Sequence, residues 1–371
     1  MSAPNATAPA ASAVANARIA AVRARSFAQS AAPDHPLALN PIHPAQSPNG
    51  IELGIDMDDA FHPTDSAMVP RYAGIATFMR AARGEIAPPL DIALVGLPLD
   101  LGATYRSGAR HGPAGVREAS RLIRQVNPTT GVAPYRLCNI ADVGDAPTHP
   151  LSVERSVELA QSFFASIHAI GAAPVCIGGD HVVPLPILRA IAKDRPLGML
   201  QIDSHADTFD EFMGTRINHA TFVRRAIEEK LLDPARVVQV GLRGTRYGDD
   251  DLVYGRETGL RMISMDEYES LGRTAVIEEI KRVLGRGPAY VTIDIDGLDP
   301  KEAPGTGVPE PGGLSMRDVQ VMLRSMTGLH VVGADICEVV PSLDPTGITC
   351  INAANLMFEL TCLVAAARNL R

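Results

Sequence analysis

The sequence predicts an α/β fold: three layers, α/β/α, with a central, mostly parallel sheet between helices. Three observations predict it. Short runs that are apolar almost throughout alternate with stretches of helical periodicity, the pattern of strands buried on both faces and joined by crossover helices. Helical periodicity fills the stretches between these runs, most clearly in the amphipathic Ser152–Ile170. Four of the apolar runs end in acids or histidines, as they do where a site forms beyond the carboxyl ends of parallel strands.

Taken in order, Asp91–Leu97 reads as the first strand, and Pro113–Gln125 as a helix with proline at its first turn. Ser152–Ile170 is a long amphipathic helix, Ala173–Ile177 a strand, Pro184–Ala192 a helix and Leu197–Ile202 a strand. Helix His219–Leu232, strand Val237–Leu242, short strand Arg261–Ser264 and helix Thr274–Leu284 follow. Ala289–Ile295 is a strand, Met316–Met326 a helix, Val331–Cys337 a strand and Ile351–Ala367 a closing helix. Residues 61–371 read as one domain without repeat or linker.

Residues 1–60 differ. They are rich in Ala and Pro, and Arg18, Arg23 and Arg25 precede the first acid, Asp34. The segment reads as an arm that is partly helical, lies on a neighbouring subunit or is disordered. An organelle transit peptide is the alternative. A secretory signal lacks its compact apolar region, and the expected location is the cytoplasm.

A formal net charge of −8, from 34 basic and 42 acidic residues, argues against a general nucleic-acid binder. The five cysteines are scattered and form no CxxC pair, so they read as buried free thiols. No stretch reads as long and apolar enough to span a bilayer.

The strand Leu197–Ile202 runs into Asp203, His205 and Asp207, spaced two apart. If the chain stays extended there, the three side chains leave on one side. Two carboxylates and an imidazole aimed at one point are costly to bury without a cation. Three more strand ends add to them: Gly178-Gly179-Asp180-His181, then Asp294-Ile295-Asp296, and Glu338. Six ligands (His181, Asp203, His205, Asp207, Asp294 and Asp296) are too many for one structural zinc. Carboxylates with some imidazole suit Mn²⁺ or a similarly hard ion. Two ions sharing carboxylates fit best, and such a pair acidifies a water molecule. Asp180 and Asp299 read as turn or supporting residues.

These blocks, GGDH at 178–181, DSHAD at 203–207, DIDGLDP at 294–300 and EVVP at 338–341, resemble the signatures of the ureohydrolase family of arginases, agmatinases and guanidino-acid hydrolases. The segment PLDLGATYRSGARHGP (98–113) resembles the family's first strand–helix turn, and the similarity spans roughly residues 65 to 370. The resemblance implies an arginase-like fold and two divalent ions, Mn²⁺ with Ni²⁺ as the alternative. It implies that His181, Asp203, Asp207 and Asp294 hold one ion and Asp203, His205, Asp294 and Asp296 the other, with Asp203 and Asp294 bridging. His219 falls where the family has its catalytic histidine, here followed by Ala220. At the start of a helix it would shuttle protons. Glu338 would accept hydrogen bonds from a planar guanidinium. The expected reaction is attack on the guanidinium carbon of a small guanidino compound, releasing urea and an amine.

The substrate is less legible. The segment TFDEFMGTRINH (208–219) resembles bacterial guanidino-acid hydrolases more than arginase, as do MVPRYAGIATFMR (68–80) and the block 342–360. That favours 4-guanidinobutyrate or a related acid, with Arg216 pairing the carboxylate and Phe212 and Met213 beside the alkyl chain. Asp210 or Glu211 facing a cationic tail would favour agmatine instead. Free guanidine, an N-alkylated guanidine or a biguanide such as metformin remain open, as does a formimino substrate. From another class, the chain would be a non-catalytic partner of a paralogue, although such partners lose ligands that are all present here. The resemblance further implies a homo-oligomer, trimer or hexamer, with a hetero-oligomer as the alternative.

Overall fold

The computed structural model describes residues 59–248 and 250–369. Among them, nine strands form one wholly parallel sheet. They are β1 (Ala82–Arg83), β2 (Ile92–Gly96), β3 (Ile140–Asp145), β4 (Ala173–Ile177), β5 (Leu197–Ile202), β6 (Leu232–Leu242), β7 (Arg261–Ser264), β8 (Ala289–Asp294) and β9 (Val331–Cys337). Their order across the sheet is β1-β3-β2-β4-β9-β8-β5-β6-β7. The sheet is therefore not merely mostly parallel. The expected arm over 1–60 lies outside the described residues apart from its last two.

The helices are α1 (Gly112–Ala119), α2 (Pro134–Leu137), α3 (Val153–Ala169), α4 (Pro184–Ile191), α5 (Phe222–Glu228), α6 (Asp250–Thr258), α7 (Met265–Leu271), α8 (Arg273–Leu284), α9 (Met316–Ser325) and α10 (Ile348–Arg368). Helices α3, α4 and α5 pack one face of the sheet through Val157, Phe164, Leu185, Leu188, Phe222 and Val223. Helices α1, α8, α9 and α10 cover the other through Val116, Ile280, Met322, Met357 and Leu360. Local chemistry sets several ends. Ser152 caps α3 by accepting from Arg155 N, and Ser315 with Asp318 forms a capping box on α9.

Helix α1 ends at Ala119, short of the expected Gln125, and β6 starts at Leu232, ahead of the expected Val237. Helix α5 begins at Phe222, three residues after His219. Asn218 N donates to Thr221 Oγ1, and Thr221 Oγ1 donates to Arg216 O. These local bonds hold a non-helical turn where the helix was expected to start. Helix α10 is long and apolar enough to cross a membrane by length and composition, contrary to the sequence reading. In the fold it is a core helix, with 83% of its apolar window buried.

The sheet's register positions the site. Strands β4, β9, β8 and β5 are consecutive neighbours, and their carboxyl ends align. Ile177 pairs with Ile336, Asp294 with Cys337, and Ile202 with Ile293. The four segments that carry the predicted ligands and Glu338 leave from these four ends, although they are far apart in sequence.

Candidate metal centre and active site

His181 is fully buried and lies just past β4. Its Nδ1 lies 2.9 Å from Asp203 Oδ2, 2.9 Å from Asp207 Oδ2 and 3.3 Å from Asp294 Oδ2. Despite this crowding, Nδ1 has no well-aligned hydrogen bond. This nitrogen and three carboxylate oxygens from two further segments converge on one point. Beside them, His205 Nδ1 lies 3.2 Å from Asp296 Oδ2 and 3.6 Å from Asp203 Oδ1. Asp203 thus offers one oxygen to each group. His181, Asp203 and Asp294 form one candidate ligand set, and Asp203, His205 and Asp296 a second.

The extended geometry assumed from the sequence is not what gathers them. β5 ends at Ile202, and Asp207 has a left-handed backbone at φ 55. Past β8 the chain turns at once into a 3₁₀ turn, Ile295–Gly297, so Asp296 does not share a strand face with Asp294. Asp294 Oδ1 accepts from Asp296 N and caps that turn. The spacing of two matters because it lets each acid brace a tight turn while another oxygen faces inward. Asp203 Oδ1 likewise accepts from His205 N.

A layer of neutral donors orients these groups. His181 Nε2 is 2.9 Å from Thr292 Oγ1, which donates to Asp335 Oδ1, and Tyr290 Oη donates to Asp335 Oδ2 at 2.6 Å. Gln201 Nε2 donates to Asp203 Oδ2, and Gln239 Nε2 donates to Gln201 Oε1. Ser204 Oγ donates to Asp296 Oδ1. Outer contacts of this kind fix ring and carboxylate orientation in metal sites. Asp335, Thr292 and Gln201 escaped the sequence analysis because they sit within strands, where a lone polar residue signals nothing.

Burial, and then the charge of Asp203, pushes the Asp207 carboxyl up to about 7. Burial with Asp296 and Asp203 drives Asp294 upward as well. Burial opposes charge on His205, but Asp296 and Asp203 overcome it and raise its imidazole. The carboxylates thus draw positive charge to themselves, as a site built for cations does. The donor set of carboxylate oxygens and imidazole nitrogen fits two hard divalent ions.

Glu338 is 5% exposed, follows β9 and has φ 61. Its Oε1 accepts from His181 N at 2.9 Å. Burial, followed by the charges of Asp294 and Asp180, raises its carboxyl. His219 Nδ1 lies 4.0 Å from Glu338 Oε1, and His219 Nε2 lies 2.9 Å from Thr104 Oγ1. Burial, then the cationic imidazoles of His205 and His181, pushes His219 down to about 4. His219 and Glu338 therefore stand beside the cluster, with Thr104, missed by the sequence analysis, behind the histidine.

The 208–219 segment divides. Phe212 packs on Phe209 at 5.3 Å, Tyr247 at 5.9 Å and His219 at 6.5 Å between ring centroids, so it reaches the site's wall. Met213 (φ 51) and Gly214 (φ 80) form the tip of a tight turn bridged by Phe212 and Thr215, and Met213 is exposed. Arg216 is engaged elsewhere, with Asp210 at 2.7 Å and Glu228 at 3.2 Å. Asp210 also binds Arg225 at 2.6 Å, so it faces arginines of its own surface and not a substrate tail. Asp180 accepts from Gly102 N and Val182 N, and Asp299 from three backbone amides. Both are turn braces, as expected.

Residues 90–362 match the sequence profile of the arginase family. The chain is 47% identical over 315 residues to a guanidinopropionase of Pseudomonas aeruginosa, covering 84% of this chain and 99% of that protein. It is 40% identical over 313 residues to a guanidinobutyrase of the same organism, covering 83% and 98%. Among solved structures, proclavaminate amidino hydrolase from Streptomyces clavuligerus superposes with a TM-score of 0.78 at 41% identity, covering 80% of this chain and 99% of that one.

Proposed function

Since the chain belongs to the arginase family and is a hydrolase that splits a guanidino compound into urea and an amine, we propose that its substrate is a short ω-guanidino acid, 3-guanidinopropionate or 4-guanidinobutyrate, and that the cluster around His181 is a two-ion centre. The convergence of His181 Nδ1 with oxygens of Asp203, Asp207 and Asp294 carries the second part of this reading. The two relatives named for guanidino acids support the first.

In this reading His181, Asp203, Asp207 and Asp294 hold one ion, and Asp203, His205, Asp294 and Asp296 hold the other. Mn²⁺ is the expected metal and Ni²⁺ the alternative. When bound, the pair acidifies a water molecule that serves as nucleophile near neutral pH. Glu338 would accept two in-plane N–H bonds from the edge of the guanidinium and hold its carbon towards the cluster. Its own Oε1 is tethered to the His181 amide, so the substrate's carbon and the cluster share one rigid frame. His219, held neutral at pH 7 by its lowered pKa, takes up a proton and delivers it to the departing amine. Phe212 lines the alkyl part of the substrate. A homo-oligomer, trimer or hexamer, belongs to the same proposal, and light scattering on the purified protein tests it.

The experiment is urea release from 3-guanidinopropionate, 4-guanidinobutyrate, agmatine, arginine, guanidine and metformin, with Mn²⁺- and Ni²⁺-loaded protein in parallel. A guanidino acid turned over at least about tenfold more efficiently than the rest, a difference of about 1.4 kcal/mol, is the expected result. Preference for agmatine or metformin would overturn the substrate reading.

A further inference from the structure

His219, which the proposed reaction uses to move a proton, is carried by a turn that is rigid within itself. Asn218 Nδ2 donates to the carbonyls of Phe212 and Thr215, and Asn218 Oδ1 accepts from Ala220 N. Those bonds fix the turn's shape. Its outer side rests on the loop after β2. There His219 N meets the carbonyl of Gly102 at 3.5 Å, and Thr104 Oγ1 lies 2.9 Å from His219 Nε2.

That loop is held in turn by Asp180, which is fully buried. Asp180 Oδ2 accepts from Gly102 N at 2.6 Å, across 78 residues of sequence, and Asp180 N donates to the carbonyl of Leu99, also at 2.6 Å. The other oxygen, Oδ1, accepts from Val182 N at 3.2 Å. An ionised carboxylate accepts on both oxygens at once, whereas a side-chain amide accepts on one only, so an acid is needed to hold both N–H groups. Gly102 fills the space between its partners. A Cβ there would stand 3.0 Å from Asp180 Oδ2 and 3.2 Å from Asn218 Cα. Asp180, Gly102 and the turn at 218–219 are therefore packed one against the next, and the residue that follows Asp180 is His181, at the heart of the ligand cluster.

We propose that Asp180 is the positioning residue for His219. Through Gly102 it sets the spacing between the His219 ring and the ligand cluster, and it keeps Thr104 within reach of Nε2. Its reach to Gly102 makes it more than a brace for its own turn, and it acts through the loop and not on the reacting atoms. This inference rests on the reading above in which His219 moves the proton. Proton transfer needs hydrogen-bond distance, and a misplacement of about 1 Å can cost roughly 100-fold in rate.

The test uses two substitutions. Asp180→Asn keeps the shape and loses one of the two acceptors. Gly102→Ala keeps Asp180 and wedges it apart from Asn218. Each is made alone and together with His219→Ala. A hydrogen bond to a charged group corresponds to about 10- to 100-fold, so D180N should lower kcat for urea release by about 10-fold or more, with KM changed by less than about twofold. G102A should act in the same direction, and the metal content of both by mass spectrometry should equal the parent's. In the H219A background neither substitution should lower kcat further by more than about twofold, because a residue that acts through His219 has nothing left to position. Losses that multiply in the double variants, or metal lost from D180N, would overturn the proposal and leave Asp180 a brace for the end of β4. If D180N does not fold, G102A and its double variant decide by the same comparison. The nitrogen-15 spectrum of histidine-labelled protein, assigned with His219→Asn, needs no turnover. A ring held by Thr104 should show one fixed tautomer in the parent and a shifted pattern in D180N and G102A. Unchanged His219 signals in both would overturn the proposal. No urea from any substrate with the parent would count against the function proposed above, and the spectrum would still decide the role of Asp180.

Discussion

Thr104 Oγ1 lies 2.9 Å from His219 Nε2, on the side of the ring away from Glu338, which His219 Nδ1 approaches at 4.0 Å. The hydroxyl holds one ring nitrogen and leaves the other directed at Glu338. Thr104→Val keeps the shape and removes this bond. A neutral hydrogen bond contributes about 1 kcal/mol, so kcat should fall roughly fivefold with KM nearly unchanged. Thr104→Ser should restore most of the rate. An unchanged kcat in T104V, measured by urea release, would remove Thr104 from the site.

His219 should titrate far below an ordinary histidine. Burial and neighbouring positive charge push it down to about 4, and bound cations act in the same direction. It is thus neutral above roughly that pH and loses its proton-accepting form only as pH falls through it. An NMR titration of the ring protons, assigned with His219→Asn, should show no midpoint between pH 6 and 7 (about the normal range). His219→Ala should retain metal and slow turnover by about 10²–10⁴-fold.

Asp203 and Asp294 each meet His181, and Asp203 also meets His205. Asp203→Asn should therefore weaken both proposed ion positions at once, and Asp294→Asn the one at His181. Metal content by mass spectrometry should drop, and urea release should become undetectable at ordinary enzyme concentrations. Chelation of the parent should lower its melting temperature and Mn²⁺ should restore it, because ligands that bind only the folded state stabilise it. Full metal content and full turnover in either variant would contradict the two-ion assignment.

Gly179 leaves no room for a side chain. A Cβ there would meet the Leu99 carbonyl oxygen at 1.5 Å, and Asp180 N donates to that same oxygen at 2.6 Å. Gly179→Ala must push β4's end away from the β2 loop and displace His181 with it. It should cost more than about 4 kcal/mol and yield little soluble protein. Gly144→Ala, where no atom lies within 4 Å of the added carbon, should lose much less, mainly through its left-handed backbone. Thermal melts of the two variants compare them directly.

The cluster was legible because acids at two-residue spacing past apolar runs are hard to explain otherwise, and four such ends recur. What the sequence hid was how they converge. Asp207 turns left-handed and Asp296 enters a 3₁₀ turn, so the residues converge through turns and not through strand alternation. Thr104 was invisible because its loop has no periodicity, and its partner lies 115 residues away. Arg216 misled because a loop arginine near a DxHxD block looks available until Asp210 and Glu228 are seen to claim it. Helices α6 and α7 and strand β3 were not predicted. Their short, mixed sequences become regular through packing on the sheet, which local pattern does not encode.

The placement of β4, β9, β8 and β5 side by side at the sheet's centre has a consequence for how the protein matures. His181 and Glu338, which touch through a backbone amide, are 157 residues apart along the chain. Such contacts close large loops and come late in folding, since their entropy cost precedes their reward. A nascent chain that has made only β4 and β5 holds scattered acids with no cage around them. In the proposed two-ion centre, selective uptake of an ion would await the insertion of β8 and β9, and the ion would then record that the centre of the sheet is complete instead of guiding its assembly. In refolding followed by stopped flow, metal capture should lag the recovery of helical signal and coincide with the final burial of the β8–β9 pair.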